Sequence, residues 1–234
     1  MQEHNEHKHL TVEEIRSGCI NRVGNDRAKA RMCVINNEFG QGFDFLKNYE
    51  KSVTFYGSAR FKEDNPYYKQ IQSLAYRISK ELGYAIVTGG GPGAMEAANR
   101  GAKEAGGPSL GLTIDLPMEQ AVNPYVTDSI PFYFFFARKV VLSYAAEAYV
   151  FCPGGFGTLD EFFEIITLVQ TKKIPQLPII LLGKSFWSKL ETFIEETLAN
   201  EAQTIDKSDT SLYMITDDED VILEAIKNAP VREG

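Results

Sequence analysis

From Val53 onward, short apolar runs alternate with stretches in which apolar residues recur every three or four positions. The runs Val53–Tyr56, Ala85–Thr88, Leu110–Ile114, Ala148–Cys152 and Ile179–Leu182 predict strands, and residues 67–82, 94–105, 133–146, 158–171 and 186–199 carry the helical period. Strands separated by helices imply right-handed βαβ units. The expected fold is therefore α/β, a Rossmann-like doubly wound parallel sheet with helices on both faces, and in such sheets ligands sit beyond the carboxyl ends of the strands. Residues 1–50 read differently. Thr11-Val12-Glu13-Glu14 forms a capping-box pattern, and Phe39, Phe43 and Leu46 recur at helical spacing, which predicts a leader and helical arm ahead of a catalytic domain over 51–234. That arm can pack on its own domain or on a second subunit. Thr216 to Glu219 forms another capping-box pattern before Val221-Ile222-Leu223 and predicts a closing helix.

Composition narrows the chemistry. The chain has 234 residues, 44% of them apolar, enough for a sizeable core. A formal charge of −8 argues against a nucleic-acid partner or an anionic membrane surface, because such binding draws on clustered Lys and Arg. No apolar run approaches the roughly 18–20 residues of a membrane span, and Met1 to His9 is polar, so a cytoplasmic protein is expected. Cys19, Cys33 and Cys152 are odd in number and far apart, suggesting reduced thiols rather than a disulfide framework or a metal cluster. His4, His7 and His9 all fall in the leader, which leaves no imidazole for a Ser-His-Asp triad or a His-rich zinc site. Chemistry falls to carboxylates, Lys, Arg, hydroxyls and backbone, and neither metal nor cofactor is expected.

Three strands end in turns rich in small residues: Tyr56-Gly57-Ser58-Ala59-Arg60, Thr88-Gly89-Gly90-Gly91-Pro92-Gly93-Ala94 and Pro153-Gly154-Gly155-Phe156-Gly157-Thr158-Leu159-Asp160-Glu161. Their convergence on one sheet edge suits a phosphate, since glycine admits close backbone approach and the first turn of a helix offers free N–H groups. Gly89, Gly91 and Ala94, followed by Asp115, also satisfy the spacing of a dinucleotide fingerprint. That fingerprint belongs in the first βα turn, however, and NAD binding leaves the Pro153 turn unexplained. Asp160 and Glu161 would both repel a phosphate, so at least one must serve another part of the ligand. Arg138-Lys139, after the aromatic run Phe132 to Phe136, is either a solvated pair or, through the planar fork of Arg138, an anion clamp.

The Gly89–Glu96 turn, the Arg138-Lys139 pair and the PGGxGTxxE pattern of Pro153–Glu161 together resemble the LOG ("Lonely Guy") family over residues 52–200. The resemblance implies a cytokinin riboside 5′-monophosphate phosphoribohydrolase, an enzyme that hydrolyses an N-glycosidic bond to free base and ribose 5-phosphate. It implies Glu161 and Arg138 as the catalytic pair. Gly57, Ser58, Gly90, Gly91, Gly154, Gly155, Phe156, Gly157 and Thr158 would surround the nucleotide, with Glu119, Lys139 and Thr167 as further contacts. It also implies a homodimer or higher homo-oligomer. The label "lysine decarboxylase-like" attached to such proteins finds no pyridoxal phosphate pattern here. Asp160 stands where plant-like members have a second Glu, and the loop from Leu116 to Tyr125 is longer, which places the chain nearer the longer bacterial type. Two alternatives stay open: a non-catalytic nucleotide-binding or carrier protein, and a broad nucleotide 5′-monophosphate nucleosidase.

Overall fold

In the computed structural model, which describes residues 11–23, 26–115 and 121–231, seven parallel strands form one sheet in the order β4-β3-β2-β1-β5-β6-β7. The strands are β1 (Ser52–Tyr56), β2 (Ala85–Thr88), β3 (Ser109–Ile114), β4 (Asp128–Phe132), β5 (Ala148–Phe151), β6 (Ile179–Leu181) and β7 (Met214–Ile215). Helices α1 (Val12–Val23) and α2 (Arg27–Leu46) precede the sheet; α3 (Pro66–Arg77), α4 (Ala94–Glu104), α5 (Phe135–Tyr144), α6 (Phe156–Gln170), α7 (Lys184–Thr192) and α8 (Glu219–Lys227) alternate with its strands. The chain order reverses between β1 and β5, the switch point at which parallel sheets open a crevice.

The strands are apolar throughout because both faces are covered. Val53, Phe55, Ala148 and Val150 pack with Ile71, Leu74, Ala97, Ala98, Ile222 and Ile226 from α3, α4 and α8. Tyr56, Tyr149 and Phe151 turn the other way, onto Val141, Leu142, Phe162 and Trp187 from α5, α6 and α7. The helical arm packs on its own domain: Phe45 and Leu46 of α2 join the second layer and are fully buried. Each such side chain contributes about 1.5–3 kcal/mol.

Four sequence-based expectations meet corrections or additions. Cys19 and Cys33 are disulfide-bonded, not free: antiparallel packing of α1 on α2 brings their Cα atoms to 5.7 Å, a closeness invisible in the spacing. Cys152 alone is free and buried. The capping box at Thr11 forms, with Glu14 Oε2 accepting from Thr11 N–H and Thr11 Oγ1 from Glu14 N–H, but that at Thr216 does not. There Asp218 caps α8 and Glu219 pairs with Arg77. Strands β4 and β7 were not among the expected strands: β7 is only two residues long, and β4 holds Asp128 and Pro131 because it is an edge strand, where proline costs no ladder bond. It also displaces the start of α5, expected at residue 133, to Phe135.

Candidate active site

The three glycine turns interlock at the carboxyl edge of β1, β2 and β5. Ser58 N–H donates to Pro153 O at 3.1 Å, while Ser58 O accepts from Ala94 N–H at 2.9 Å, so the β1 turn bridges the other two. Gly93 has φ 73°, and a Cβ there would lie 2.4 Å from Ser58 O, so only glycine fits where α4 begins. Asn123 closes a fourth side: its N–H donates to Gly90 O and its Nδ2 to Gly91 O and Asn99 Oδ1. Thr88 Oγ1 in turn donates to Asn99 Oδ1 and accepts from Gly90 N–H, which completes a buried polar network under the turn.

Around these turns lies a cavity of about 820 Å³. Gly57, Ser58, Gly90, Gly91, Gly154, Gly155, Phe156, Gly157, Thr158, Arg138 and Glu161 all line it. Helix α6 opens toward it from Gly155, which supplies no side-chain cap, so the first-turn N–H groups remain available to an anion.

Glu161 lies one turn into α6, half-buried, and makes no hydrogen bond or ion pair among the described residues. Burial pushes its pKa up to about 7; Arg138 and Lys139 oppose that shift, and Asp160 and Glu164 add to it. Arg138 extends from α5 until Nη1 comes 2.9 Å from where a Cβ on Gly89 would stand, with Cζ 5.4 Å from the centre of the Phe135 ring. Burial lowers its pKa, Glu161 counteracts this, and its buried Nε has no partner. An arginine keeps its proton at any relevant pH, so this orphaned donor is a ready contact for an anionic or hydroxyl-bearing ligand.

Two neighbours behave otherwise. Lys139 turns to the outer side, where Nζ pairs with Asp160 Oδ2 at 2.7 Å and Glu164 Oε2 at 3.1 Å. Burial alone would lower its pKa; the two carboxylates outweigh it and raise the value. Asp160 is thereby spent on a lysine, which resolves the acidic-pair puzzle in favour of Glu161 facing the cavity. Thr167 is exposed on α6, and its hydroxyl donates to Phe163 O. Neither Lys139 nor Thr167 lines the cavity, and Glu119 lies outside the described residues. The apolar wall of Met95, Thr113, Val122, Phe135 and Leu142 was not singled out as site from the sequence, because it comes from four separate elements. Only Phe135 carried a signal, inside the aromatic run before Arg138.

The family model described as "Possible lysine decarboxylase" matches residues 95–226, more than half of the chain. A probable cytokinin riboside 5′-monophosphate phosphoribohydrolase of Oryza sativa subsp. japonica is 26% identical over 156 residues, covering 64% of this chain and 71% of its own. The cytokinin riboside 5′-monophosphate phosphoribohydrolase of Rhodococcoides fascians is 22% identical over 147 residues, covering 62% and 74%. Among solved structures, a structural-genomics target determined by X-ray crystallography is 26% identical with a TM-score of 0.55, covering 74% of this chain and 98% of that one. The molybdenum cofactor carrier protein of Chlamydomonas reinhardtii shares the fold at 23% identity and TM-score 0.56, covering 76% and 96%. The glycine turns, the Arg138-Lys139 pair and the matched family model converge, and the chain belongs to the LOG family, the group that carries the lysine decarboxylase description.

Proposed function

We propose that this protein hydrolyses the N-glycosidic bond of a nucleoside 5′-monophosphate, releasing the base and ribose 5-phosphate. The observation that carries the reading is the place of Glu161, a carboxyl without a hydrogen bond or ion pair among the described residues, in the same cavity as the open start of α6, where burial pushes its pKa up to about 7. The 5′-phosphate docks on the amides from Gly154 to Thr158, and this remote binding energy holds the ribose over Glu161. As the bond from C1′ to the base nitrogen breaks, positive charge develops on the ribose. The ionised Glu161 stabilises that charge and orients the water that adds to C1′; the water's proton leaves with the base. Arg138 positions the sugar and carboxylate through its free Nε–H and does not act as a base. The names of the plant and Rhodococcoides relatives support an N6-substituted adenine as the base, and AMP and other monophosphates are the broader alternative.

The reading extends to assembly. Phe136, Val140 and Tyr144 form an exposed stripe along α5, with Phe163 exposed on α6, an apolar patch suited to a second copy of the chain. Light scattering that gives only a monomer at micromolar concentration rejects the assembly. For the reaction, the chain is incubated with AMP and with isopentenyladenosine monophosphate, and free base and ribose 5-phosphate are followed by chromatography. Release of both products is expected. Saturable nucleotide binding without base release makes the protein a binder or carrier instead.

A further inference from the structure

The cavity is longer than the part that Glu161, Arg138 and the α6 amides account for. On the flank toward β6, away from the Gly89 turn where Arg138 rests, it continues into a lobe lined by Arg60, Phe61, Tyr67 and Phe186. This lobe is built. Phe61 stacks on Tyr67 with centroids 5.8 Å apart, and the Tyr67 hydroxyl shares a 2.8 Å hydrogen bond with Ser185 Oγ. Phe186 meets Trp187 edge-on at 5.0 Å. Gly183, at φ 103°, lets the β6 turn close against both the Pro153 turn and Tyr67: a Cβ there would stand 2.8 Å from Pro153 Cγ and 3.1 Å from Tyr67 Cε1.

Arg60 and Arg138 are the two cations in the cavity lining, and Arg60 is the one on the lobe side. Acidic residues outnumber basic ones, 32 to 24, and Arg77 and Arg100 each engage two or more carboxylates. Arg60 makes no ion pair among the described residues; its exposed side chain lines the cavity, and its backbone N–H donates to Ser58 Oγ at 3.2 Å. A guanidinium without an ion pair, lining the same cavity as a pair of stacked rings, suits an anionic group followed by a planar one.

We propose that this lobe binds the portion of a ligand that lies beyond the 5′-phosphate: a second phosphate, held by Arg60, and a second planar ring, held by Phe61, Tyr67 and Phe186. The class is the pyrophosphate-bridged dinucleotide. The assignment rests on the nucleotide reading above, because the phosphate on the α6 amides sets where the extension begins. It is distinct from the dinucleotide fingerprint at Gly89, which lies on the opposite flank.

Isothermal titration calorimetry on the full chain carrying Glu161→Gln, which slows turnover, compares AMP, ADP and di(adenosine 5′) diphosphate. ADP is expected to bind roughly 10-fold tighter than AMP, and the dinucleotide roughly 10-fold tighter again. Arg60→Ala removes the first gain and Phe61→Ala the second, with AMP affinity unchanged in both. AMP binding with no gain for the longer ligands overturns the lobe and leaves the nucleotide reading standing. Failure of all three ligands to bind overturns both. Equal weakening of all three by Arg60→Ala and Phe61→Ala reduces those residues to structural supports and also overturns the lobe.

Discussion

Helices α5 and α6 are tied together by Lys139, yet they begin in opposite ways. The entry to α5 is held by the chain itself: the buried Glu38 carboxylate of α2 accepts from the N–H groups of Tyr133 at 2.8 Å and Phe134 at 3.2 Å, the two residues that lead into the helix. The start of α6 is left open at Gly155. Four other helices have such ends filled by side chains of the chain itself, Asp26 at α2, Asn65 at α3, Asp217 at α7 and Asp218 at α8, while α4, like α6, begins at a glycine without a side-chain cap. Glycine in place of Asp or Asn at such a position costs roughly a few tenths of a kcal/mol. That stabilisation is left unused at a helix start that faces the cavity, near Glu161, which has no hydrogen bond or ion pair among the described residues. Local stability was given up where a ligand's charge can replace it.

The largest expected effect comes from removing that carboxyl. Glu161→Gln should slow base release by about 10²–10⁴-fold while AMP still binds, as measured by chromatography and calorimetry. The wild-type kcat/KM should rise with pH along a limb centred near 7, the value to which burial pushes Glu161, and the limb should vanish in the variant. Stability should run the other way. A folded pKa raised above the ordinary 4.5 contributes stability that is complete below 4.5 and lost as pH rises through about 7. Glu161→Gln should therefore raise the melting temperature at pH 8 and leave it nearly unchanged at pH 4.5. A kcat/KM limb that falls through 7 would instead make Glu161 the acid of the reaction.

Closing the open helix tests the contrast directly. Gly155 has φ −94°, an ordinary backbone angle, and a Cβ there meets nothing within 4 Å, so Gly155→Asp fits without strain. The aspartate would cap α6 as Asp218 caps α8, raising stability by roughly a few tenths of a kcal/mol. It would also place a like charge where the phosphate docks and weaken AMP binding by at least roughly 10-fold. Melting temperature and affinity should thus move in opposite directions. Stabilisation with unchanged AMP affinity would show that the phosphate binds elsewhere.

The open end was legible in the sequence because its signals are local. Pro153–Glu161 reads as strand, glycine turn and helix start, and the parallel sheet follows from five apolar runs. The entry to α5 was not legible. Glu38 stands 95 positions from Tyr133, and its polarity inside an arm marked by Phe39 and Phe43 carries no hint of what it caps. The same applies to the Cys19–Cys33 bond, which depends on how α1 folds back on α2, and to Lys139, whose outward turn is decided by the carboxylates of α6 and not by its neighbour Arg138. Strand β4 escaped because an edge position tolerates the polar and proline residues that a central strand excludes.

The smallest effect on base release is expected at the entry to α5. Burial raises the Glu38 pKa, and its bonds to Tyr133 and Phe134 partly offset the shift. Glu38→Ala strips both N–H groups of their acceptor and should cost about 1–3 kcal/mol, roughly 2–4 °C in melting temperature per kcal/mol for a chain of this size. Glu38→Gln keeps an uncharged acceptor and should cost less. Because the wild-type carboxyl titrates above its ordinary value, its contribution is complete at pH 4.5 and declines as pH rises, so the deficit of Glu38→Gln should shrink between pH 4.5 and pH 8. Base release should fall only as far as Arg138 moves with the start of α5. A loss of activity as deep as that of Glu161→Gln would mean that the arm takes part in the site itself, and the division between a helix held for stability and a helix left open for ligand would no longer stand.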